Sequence, residues 1–278
     1  MLFFFLFVSQ KINKRNQLKE EIIQLKNKYS SVPGLAVVQV GHNLASNVYI
    51  KAKTKSAKEV GIEVIDHHLE ESITQEKLLE IINTLNNQDN VNGILVQLPL
   101  PEHIHEQTIL DSINPDKDVD GFHPMNFGKM ALDMSTFIPA TPFGILELLD
   151  RYQVDTKGKH TVVIGRSHIV GRPMSILMGR KGFPGNSTVT LTHSHTKNIT
   201  QITSQADIII SALGVPNFLK AEMVKDDAVI IDVGITRVPD ETKERGYVIT
   251  GDVDYENVSK KASFITPVPG GVGPMTIA

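Results

Sequence analysis

The stretch that most constrains the fold is Thr161–Ser175, TVVIGRSHIVGRPMS. Its apolar run Val162–Ile164 meets Gly165, and Gly171 with Pro173 then opens a segment of helical spacing. The pattern predicts a buried β-strand, a glycine turn and a helix. Such a turn points backbone N–H groups and a helix N-terminus at an anion, which is typical of a dinucleotide pyrophosphate site. The glycines are spaced G-x5-G rather than G-x-G-x-x-G, so the motif needs support from its surroundings.

The charges that follow this turn favour NADP as the cofactor. The range 161–206 contains no Asp or Glu but five Arg or Lys residues. An NAD site places an acid about 20 residues past the glycines to bind the ribose, whereas an NADP site has a base there for the 2′-phosphate. Here a predicted strand is followed by His193, Ser194 and His195, and Arg166 lies in the glycine turn itself. The alternative is a solvated basic helix and loop that bind no ligand.

The composition is that of a soluble globular protein with two domains. The chain has 278 residues, of which 41% are hydrophobic and 21% charged. Its formal net charge of −3 provides no basic field for nucleic acid. The absence of cysteine excludes disulfides, thiolate catalysis and cysteine-ligated metals. The close histidine pairs have no acids at ligand spacing, so the sequence predicts no metal site.

The N-terminal octet Met1–Val8, MLFFFLFV, is apolar and is followed by basic residues. It is too short to span a bilayer. It also lacks the leading positive charge and the small-residue cleavage site of a secretory signal. We therefore expect a cytoplasmic protein with no membrane contact, in which the octet forms a first strand or arises from the choice of start codon.

Alternating strand and helix signals predict two α/β domains, with boundaries at 1–141 and 142–278. In the first domain the predicted strands are Leu35–Val40, Glu63–His67 and Gly93–Gln97, and the predicted helices are 16–29, 46–60 with Ser46 as its cap, and 74–85. In the second domain a helix at 143–152 leads into the dinucleotide strand, and further strands are Thr188–Thr192, Ile208–Ser211 and Val229–Val233. The segment 115–142 is predicted to be irregular.

Tyr49 and Lys53 are four residues apart on a predicted helix, so they share one face. A helical lysine is normally a solvated charge. Gln97, however, ends a predicted strand just before a proline-rich turn, and ligands bind at the carboxyl ends of parallel strands. A lysine drawn into a cleft there loses solvation, and its pKa falls toward the range useful for acid–base catalysis.

Two further segments indicate a bound heterocycle. KDVDG, at Lys117–Gly121, puts two carboxylates in a loop, where they are either turn formers or acceptors for paired N–H donors on a heterocycle edge. TPVPGGVGPMT, at Thr266–Thr276, has three glycines and three prolines, which exclude the interior of a helix or strand. We interpret this segment as either a disordered linker or a shaped loop whose backbone closely approaches a flat ligand.

Five motifs occur in one order: Tyr49-x-x-x-Lys53, VQLPLP at Val96–Pro101, KDVDG, GRSHIVGRP at Gly165–Pro173, and TPVPGGVGPMT. The set resembles the bifunctional methylenetetrahydrofolate dehydrogenase/methenyltetrahydrofolate cyclohydrolase family, from about Ile22 to the end of the chain. The resemblance implies an N-terminal folate-binding catalytic domain and a C-terminal Rossmann-type NADP-binding domain. Both are α/β domains with a cleft between them, and the family is usually homodimeric.

The resemblance also implies two reactions in one-carbon metabolism and purine biosynthesis. NADP oxidises methylenetetrahydrofolate to methenyltetrahydrofolate, which is then hydrolysed to formyltetrahydrofolate. Four residues are implied in catalysis: Lys53 as the acid–base group, Gln97 orienting it, Tyr49 positioning the folate and Asp120 binding the pterin edge. Further residues implied for the folate are Val96, Leu98, Pro269, Gly270, Gly271 and Thr276, and those implied for the cofactor are Gly165, Arg166, Ser167, Ser194 and Ile235.

Two departures from the family pattern leave alternatives open. The family begins with an LDGK-like strand where this chain has VSQKI at Val8–Ile12. It also continues into a C-terminal helix that returns to the first domain, and we expect that helix to be missing because the sequence ends at Ala278. The alternatives are a monofunctional dehydrogenase, an inactive truncated copy that binds NADP or folate, and a shikimate-type dehydrogenase. The retained Lys53, Gln97 and Asp120 favour the bifunctional enzyme.

Overall fold

The computed structural model describes the backbone of residues 2–42 and 44–278 and the side chains of residues 13–42 and 50–278. The chain divides into two compact units. The first unit is Ile12–Ala140 with Ile277–Ala278, and the second is Thr141–Thr276 with the N-terminal residues up to Lys11. Each unit contains a parallel β-sheet, as the alternation of strand and helix signals predicts.

The first unit is built on a three-stranded parallel sheet in the order β2–β1–β3. Its strands are β1 (Gly34–Val40), β2 (Glu63–Leu69) and β3 (Gly93–Val96). Its helices are α1 (Leu2–Tyr29) from Ile12 onward, α2 (Leu44–Val60), α3 (Gln75–Asn86), α4 (Glu106–Ser112) and α5 (Pro124–Ala131). Parallel neighbours need crossover connections, and α2 and α3 supply them between successive strands.

One face of this sheet carries the core of the first unit. Ala36, Val38 and Val40 alternate along β1 and are buried against apolar residues of α3 and α4. Thr74 caps α3 because its side-chain oxygen accepts a hydrogen bond from the N–H of Lys77 at 3.3 Å. The carboxyl ends of β1 and β3 are thereby held side by side on a packed base.

The second unit is built on a five-stranded parallel sheet in the order β10–β7–β6–β4–β5. Its strands are β4 (His160–Ile164), β5 (Thr188–Thr192), β6 (Ile208–Ser211), β7 (Val229–Asp232) and β10 (Phe264–Ile265), and a separate antiparallel ribbon pairs β8 (Thr236–Pro239) with β9 (Tyr247–Thr250). Its helices are α6 (Ala140–Arg151), α7 (Gly171–Gly179), α8 (Ile199–Thr203), α9 (Tyr255–Val258) and α10 (Val272–Ile277).

The strand order of the second unit contains a topological switch point. The chain passes from β4 outward to β5 and then returns to form β6 on the other side of β4. In open α/β sheets this reversal is the point at which ligands bind, in the crevice at the carboxyl ends of the strands. The glycine turn after β4 and the loop after β6 therefore flank the crevice.

Several local predictions differ from the structure. The N-terminal octet belongs to α1, so the predicted first strand is wrong, since its apolar run continues directly into a helical pattern. Ser46 lies inside α2, which begins at Leu44, so it is not the cap. The segment 115–142 is not wholly irregular, because it contains α5 and the first residues of α6. No helix within the described residues has the length and apolar character that crossing a membrane requires.

Candidate functional site

The KDVDG loop runs beside β3 in the first unit. The N–H of Ile94 donates to the carbonyl of Lys117 at 2.7 Å, and Ile94 pairs with Asp118 in a parallel bridge. Gly93 allows this approach, since a Cβ there would lie 2.5 Å from a methyl group of Val119. The loop therefore extends in the same direction as β3 and carries Asp120 toward the carboxyl end of that strand.

The two carboxylates of this loop have different roles. Asp118 is buried, and its Oδ2 accepts hydrogen bonds from the N–H of His123 at 2.8 Å and from Asn126 Nδ2 at 3.0 Å. Gly121 turns the chain at φ +66°, where a Cβ would lie 2.9 Å from the carbonyl oxygen of Phe137. Asp118 is thus the turn former, and Asp120 is the carboxylate left for other contacts.

Asp120 and Lys53 interact electrostatically in the first unit. Both side chains are half-buried. Burial is the largest influence on the pKa of the Asp120 carboxyl and raises it. The positive charge of Lys53 lowers this pKa, and the negative charge of Asp118 raises it further. The structure therefore brings the predicted lysine of α2 and the predicted acid of KDVDG to one place. The backbone of Tyr49 lies in α2, one helical turn before Lys53, but its side chain lies outside the described residues.

Gln97 directly follows β3, as the sequence indicates. Its N–H donates to the carbonyl of Val38 at 2.9 Å, which continues the pairing with β1, and its Nε2 donates to the carbonyl of Leu98 at 2.7 Å. Its Oε1 is buried and has no hydrogen-bond partner within the described part of the chain. An unpaired buried oxygen is costly, so it is an acceptor available to an ammonium group or a ligand N–H.

The glycine turn of the second unit is tightly packed between β4 and α7. Gly165 follows β4 with φ +109°, and a Cβ there would overlap the carbonyl oxygen of Ala212. A Cβ on Gly171, the first residue of α7, would overlap the carbonyl oxygen of Gly165. Ser167 closes the turn, because its Oγ accepts from the N–H groups of Val170 at 3.1 Å and Gly171 at 3.3 Å. These close approaches require glycine at both positions and define the backbone of the turn.

Two histidines follow the carboxyl end of β5, and Arg166 of the glycine turn acts on one of them. The pKa of His193 is lowered by its burial and by the positive charges of Arg166 and His195. The N–H of His195 donates to Nδ1 of His193 at 3.2 Å. Ser194 is exposed next to them, and Ile235 is exposed beyond the carboxyl end of β7. The structure thus brings Arg166 to the corner that the acid-free segment predicts.

The glycine- and proline-rich tail is folded into the second unit, so the disordered-linker alternative is wrong. Thr266 is buried. Gly271 packs closely against Thr266, because a Cβ on Gly271 would lie 2.8 Å from the Cβ of Thr266. The last residues form α10 (Val272–Ile277), so the prediction that the glycine and proline content excludes a helix there is wrong. Pro274 occupies the first turn of that helix, where a missing N–H costs nothing. Pro269 and Gly270 precede α10, and Thr276 Oγ1 bonds to Thr141 Oγ1 at 3.2 Å.

A groove between α2 and β2 lies apart from the predicted folate residues. It is lined by residues including Gln39, Lys51, Lys55, Lys58 and His68, and it contains neither Lys53, Gln97 nor Asp120. Among the residues with described side chains, no group of three or more His, Asp or Glu is placed to hold a metal ion. We therefore assign the candidate catalytic site to the carboxyl end of β3.

Comparison with known proteins decides the family. Residues 8–120 match the tetrahydrofolate dehydrogenase/cyclohydrolase catalytic domain, and residues 139–278 match the NAD(P)-binding domain of the same enzymes. The chain belongs to the tetrahydrofolate dehydrogenase/cyclohydrolase family. This membership confirms the predicted two-domain α/β architecture, with the catalytic domain before the NAD(P)-binding domain. It also supports a bifunctional dehydrogenase and cyclohydrolase over the alternatives.

Relatives in this family match most of the chain. The chain is 70% identical over 264 residues to the bifunctional protein FolD of Flavobacterium psychrophilum, which covers 95% of this chain and 90% of the relative. The crystal structure of the bifunctional enzyme FolD of Campylobacter jejuni superposes with a TM-score of 0.91 at 49% identity, covering 97% and 92% of the two chains. The crystal structure of the Trypanosoma brucei dehydrogenase-cyclohydrolase, complexed with NADP cofactor and inhibitor, superposes with a TM-score of 0.90 at 36% identity. The match covers 96% of this chain and 90% of that chain.

Two buried acids of the NAD(P)-binding domain were missed by the sequence reasoning. Asp232 ends β7 and Asp252 follows β9, and their side chains are 3% and 0% exposed. A local signal exists in the adjacent glycines, Gly234 and Gly251. Nothing in the sequence shows, however, that two acids 20 residues apart meet in the folded protein.

Proposed function

We propose that this protein oxidises methylenetetrahydrofolate with NADP and hydrolyses the resulting methenyltetrahydrofolate to formyltetrahydrofolate. The observation that carries the proposal is the charge of Lys53 acting on the carboxyl of Asp120, in a chain of this family that also holds an unpaired Gln97 Oε1 just after β3. Hydride transfer needs mainly a bound cofactor and an oriented substrate. Hydrolysis needs a group that moves protons, and a chain with only the first activity would not need such a lysine.

Lys53 is proposed as the acid–base group of the hydrolysis. Addition of water to the methenyl carbon releases a proton from the water, and ring opening requires a proton on the departing ring nitrogen. An amine accepts the first proton and, as an ammonium, supplies it to the ring nitrogen, and the hydroxyl proton of the adduct leaves as the formyl carbonyl forms, so that one proton is released overall. The unpaired Oε1 of Gln97 is proposed to accept an N–H of Lys53 and so to orient it. Tyr49 is proposed to position the folate, and its place one helical turn before Lys53 is consistent with that role.

Asp120 is proposed to bind the pterin edge of the folate. A carboxylate accepts two N–H donors side by side, which matches the amidine-like edge of a pterin. The nearby charge of Lys53 favours the ionised form that this contact needs, against the burial that raises its pKa. Val96 and Leu98, which flank Gln97, are proposed to contact the folate, and so are Pro269, Gly270, Gly271 and Thr276 of the tail.

NADP is proposed to bind at the glycine turn of the second unit. The overlaps that a Cβ at Gly165 or Gly171 would cause show that only glycine permits this tight strand–turn–helix, and a helix N-terminus after such a turn favours an anion. Gly165, Arg166 and Ser167 are proposed to contact the phosphates, with Ser194 and Ile235 nearby. When bound, NADP accepts the hydride removed from the substrate. Arg166 and the absence of acids over 161–206 favour NADP over NAD.

The proposal extends to the organisation and setting of the enzyme. We propose domains at 1–141 and 142–278 for folate and NADP respectively, as the two matched family domains suggest. We also propose a homodimer that acts in the cytoplasm, in the one-carbon metabolism that supplies purine biosynthesis. Size determination in solution and cell fractionation test these two points.

A coupled assay tests the two activities. Purified protein is mixed with methylenetetrahydrofolate and NADP⁺, with NAD⁺ in parallel, and absorbance is followed for reduced cofactor and for methenyltetrahydrofolate. We expect wild type to reduce NADP⁺ without accumulating the methenyl compound, and Lys53→Met to accumulate it. Lys55→Met is the control, since that exposed lysine of α2 pairs only with Glu59, at 3.8 Å, among the described ion pairs. Full cyclohydrolase activity of Lys53→Met would remove Lys53 from the mechanism, and a folded wild type that reduces neither cofactor would be an inactive copy.

A further inference from the structure

Two carboxylates lie buried together in the second unit. Asp232 and Asp252 are 3% and 0% exposed, and neither forms an ion pair with a lysine, arginine or histidine within the described residues. All but one of their described donors are backbone N–H groups. Burying two carboxylates without a cation costs free energy of folding, so hydrogen bonds must compensate for the lost solvation.

The carboxylate of Asp252 holds the loop that follows β6. Its Oδ2 accepts from the N–H of Leu213 at 2.6 Å, and its Oδ1 accepts from the N–H of Val215 at 2.9 Å. The hydroxyl of Ser211 adds a longer contact to Oδ2, at 3.4 Å. Charge-assisted bonds to two N–H groups of one short loop define its backbone conformation. We call residues 212–215 the β6 loop.

The β6 loop forms one side of the crevice at the topological switch point. The N–H of Ala212 donates to the carbonyl of Ile164, at the end of β4, at 2.9 Å. The carbonyl oxygen of Ala212 occupies the space that a Cβ on Gly165 would need. Any displacement of the β6 loop therefore changes the surface against which the glycine turn rests, and this is the surface at which a dinucleotide lies.

Asp232 and two glycines hold Asp252 in place. Asp232 Oδ1 accepts from the N–H of Asp252 at 2.9 Å, and its Oδ2 accepts from the N–H of Val253 at 3.0 Å. A Cβ on Gly234 would overlap the carboxylate of Asp252, and a Cβ on Gly251 would overlap that of Asp232. Each carboxylate thus occupies space next to a glycine of the other acid's segment, which fixes the two segments relative to each other.

We propose that Asp252 is a positioning residue for NADP. It holds the backbone of the β6 loop in the conformation that binds NADP, and Asp232 holds the backbone of Asp252 in place. The inference rests on the proposed binding of NADP at the glycine turn. It does not make either acid a catalytic residue, since neither is placed against the reacting atoms. A purely structural role would lower the amount of folded protein without weakening the binding of NADP to the molecules that remain folded.

The variant Asp252→Asn separates these roles. Asn has one acceptor oxygen, so one of the two loop N–H groups loses its acceptor. We expect the Kd for NADP⁺, measured by titration calorimetry, to rise by about tenfold or more. Hydrolysis of added methenyltetrahydrofolate, which consumes no NADP, should keep its KM within about twofold of the wild-type value, because this reaction does not depend on the bound cofactor. Asp254→Asn is the control, since that acid lies in the same segment and bonds to Lys220 and Asn257 instead.

Amide hydrogen exchange in the wild type provides a test that needs no variant to fold. The amides of Leu213 and Val215 should exchange slowly, and more slowly still with NADP⁺ bound. Exchange at the rate of an open loop, or rates unchanged by bound NADP⁺, would overturn the inference. An unchanged Kd in Asp252→Asn, with wild type binding NADP⁺, would overturn this inference alone. Failure of the folded wild type to bind NADP⁺ would overturn the proposed function and the inference with it.

Discussion

Replacing Asp232 with Asn should remove a marked pH dependence from the stability of the second unit. The side chain is 3% exposed and has no cationic partner among the described ion pairs. The pKa of its carboxyl is raised to about 7, chiefly by burial and further by the charge of Asp252. Hydrogen bonds from backbone N–H groups, chiefly those of Asp252 and Val253, oppose this rise. The folded protein thus retains a proton on Asp232 that the unfolded chain releases at its ordinary pKa of 3.8.

The sign and size of the effect follow from linkage. Between pH 4 and 7 the folded state binds more protons at this position than the unfolded state, so the free energy of unfolding falls as the pH rises. Below pH 4 both states are protonated, and above pH 7 both are ionised, so the contribution is constant outside that window. A difference of about three pKa units corresponds to a loss of roughly 4 kcal/mol across the window.

Urea unfolding followed by circular dichroism from pH 4.5 to 8.5 measures this difference. Asn is neutral throughout, so Asp232→Asn should lose only the contribution of this one group to the pH dependence. Asn also lacks one acceptor oxygen, which adds a loss that does not vary with pH. Asp254→Asn serves as the control, because a hydrogen bond from Asn257 holds the pKa of Asp254 below its ordinary value. Parallel stability curves for wild type and Asp232→Asn over this range would refute the reasoning.

Three further substitutions test the two sites. Gly165→Ala should abolish NADP⁺ binding in a calorimetric titration and destabilise the second unit, because the new Cβ overlaps the carbonyl oxygen of Ala212. Gly179→Ala is the control and should retain binding, because the nearest atom to its new Cβ lies 3.8 Å away. Gly121→Ala should lower the free energy of urea unfolding of the first unit by about 1–3 kcal/mol, since the chain turns there at φ +66°; an unchanged midpoint would contradict this. Arg166→Gln should raise the Kd for NADP⁺ by about 10- to 100-fold and leave the Kd for NAD⁺ nearly unchanged, because only NADP has the 2′-phosphate. An equal rise in both Kd values would show that Arg166 does not select between the cofactors.

The strands were predictable from local apolar patterns, since Ile208–Ser211 contains a continuous apolar run and Thr188–Thr192 alternates Thr with Val and Leu. Thr188–Thr192 and Ile208–Ser211 were predicted with the bounds that the structure shows, and the other predicted strands differ by one or two residues at an end. The helices α4 and α5 escaped prediction, since each is capped by a histidine rather than by Ser, Thr, Asp or Asn. His105 and His123 accept hydrogen bonds from the N–H groups of Thr108 and Met125.

The sequence by itself determined the family, the two parallel sheets and the residues from which a folate and a cofactor site would be built. Local patterns suffice for these, because a strand, a glycine turn and a lysine on a helix face depend on residues close in the chain. Only the tertiary structure decided that Asp118 forms the turn and Asp120 meets Lys53. It alone brought Asp232 against Asp252. These outcomes depend on burial and on donors supplied by distant segments, which no local pattern contains.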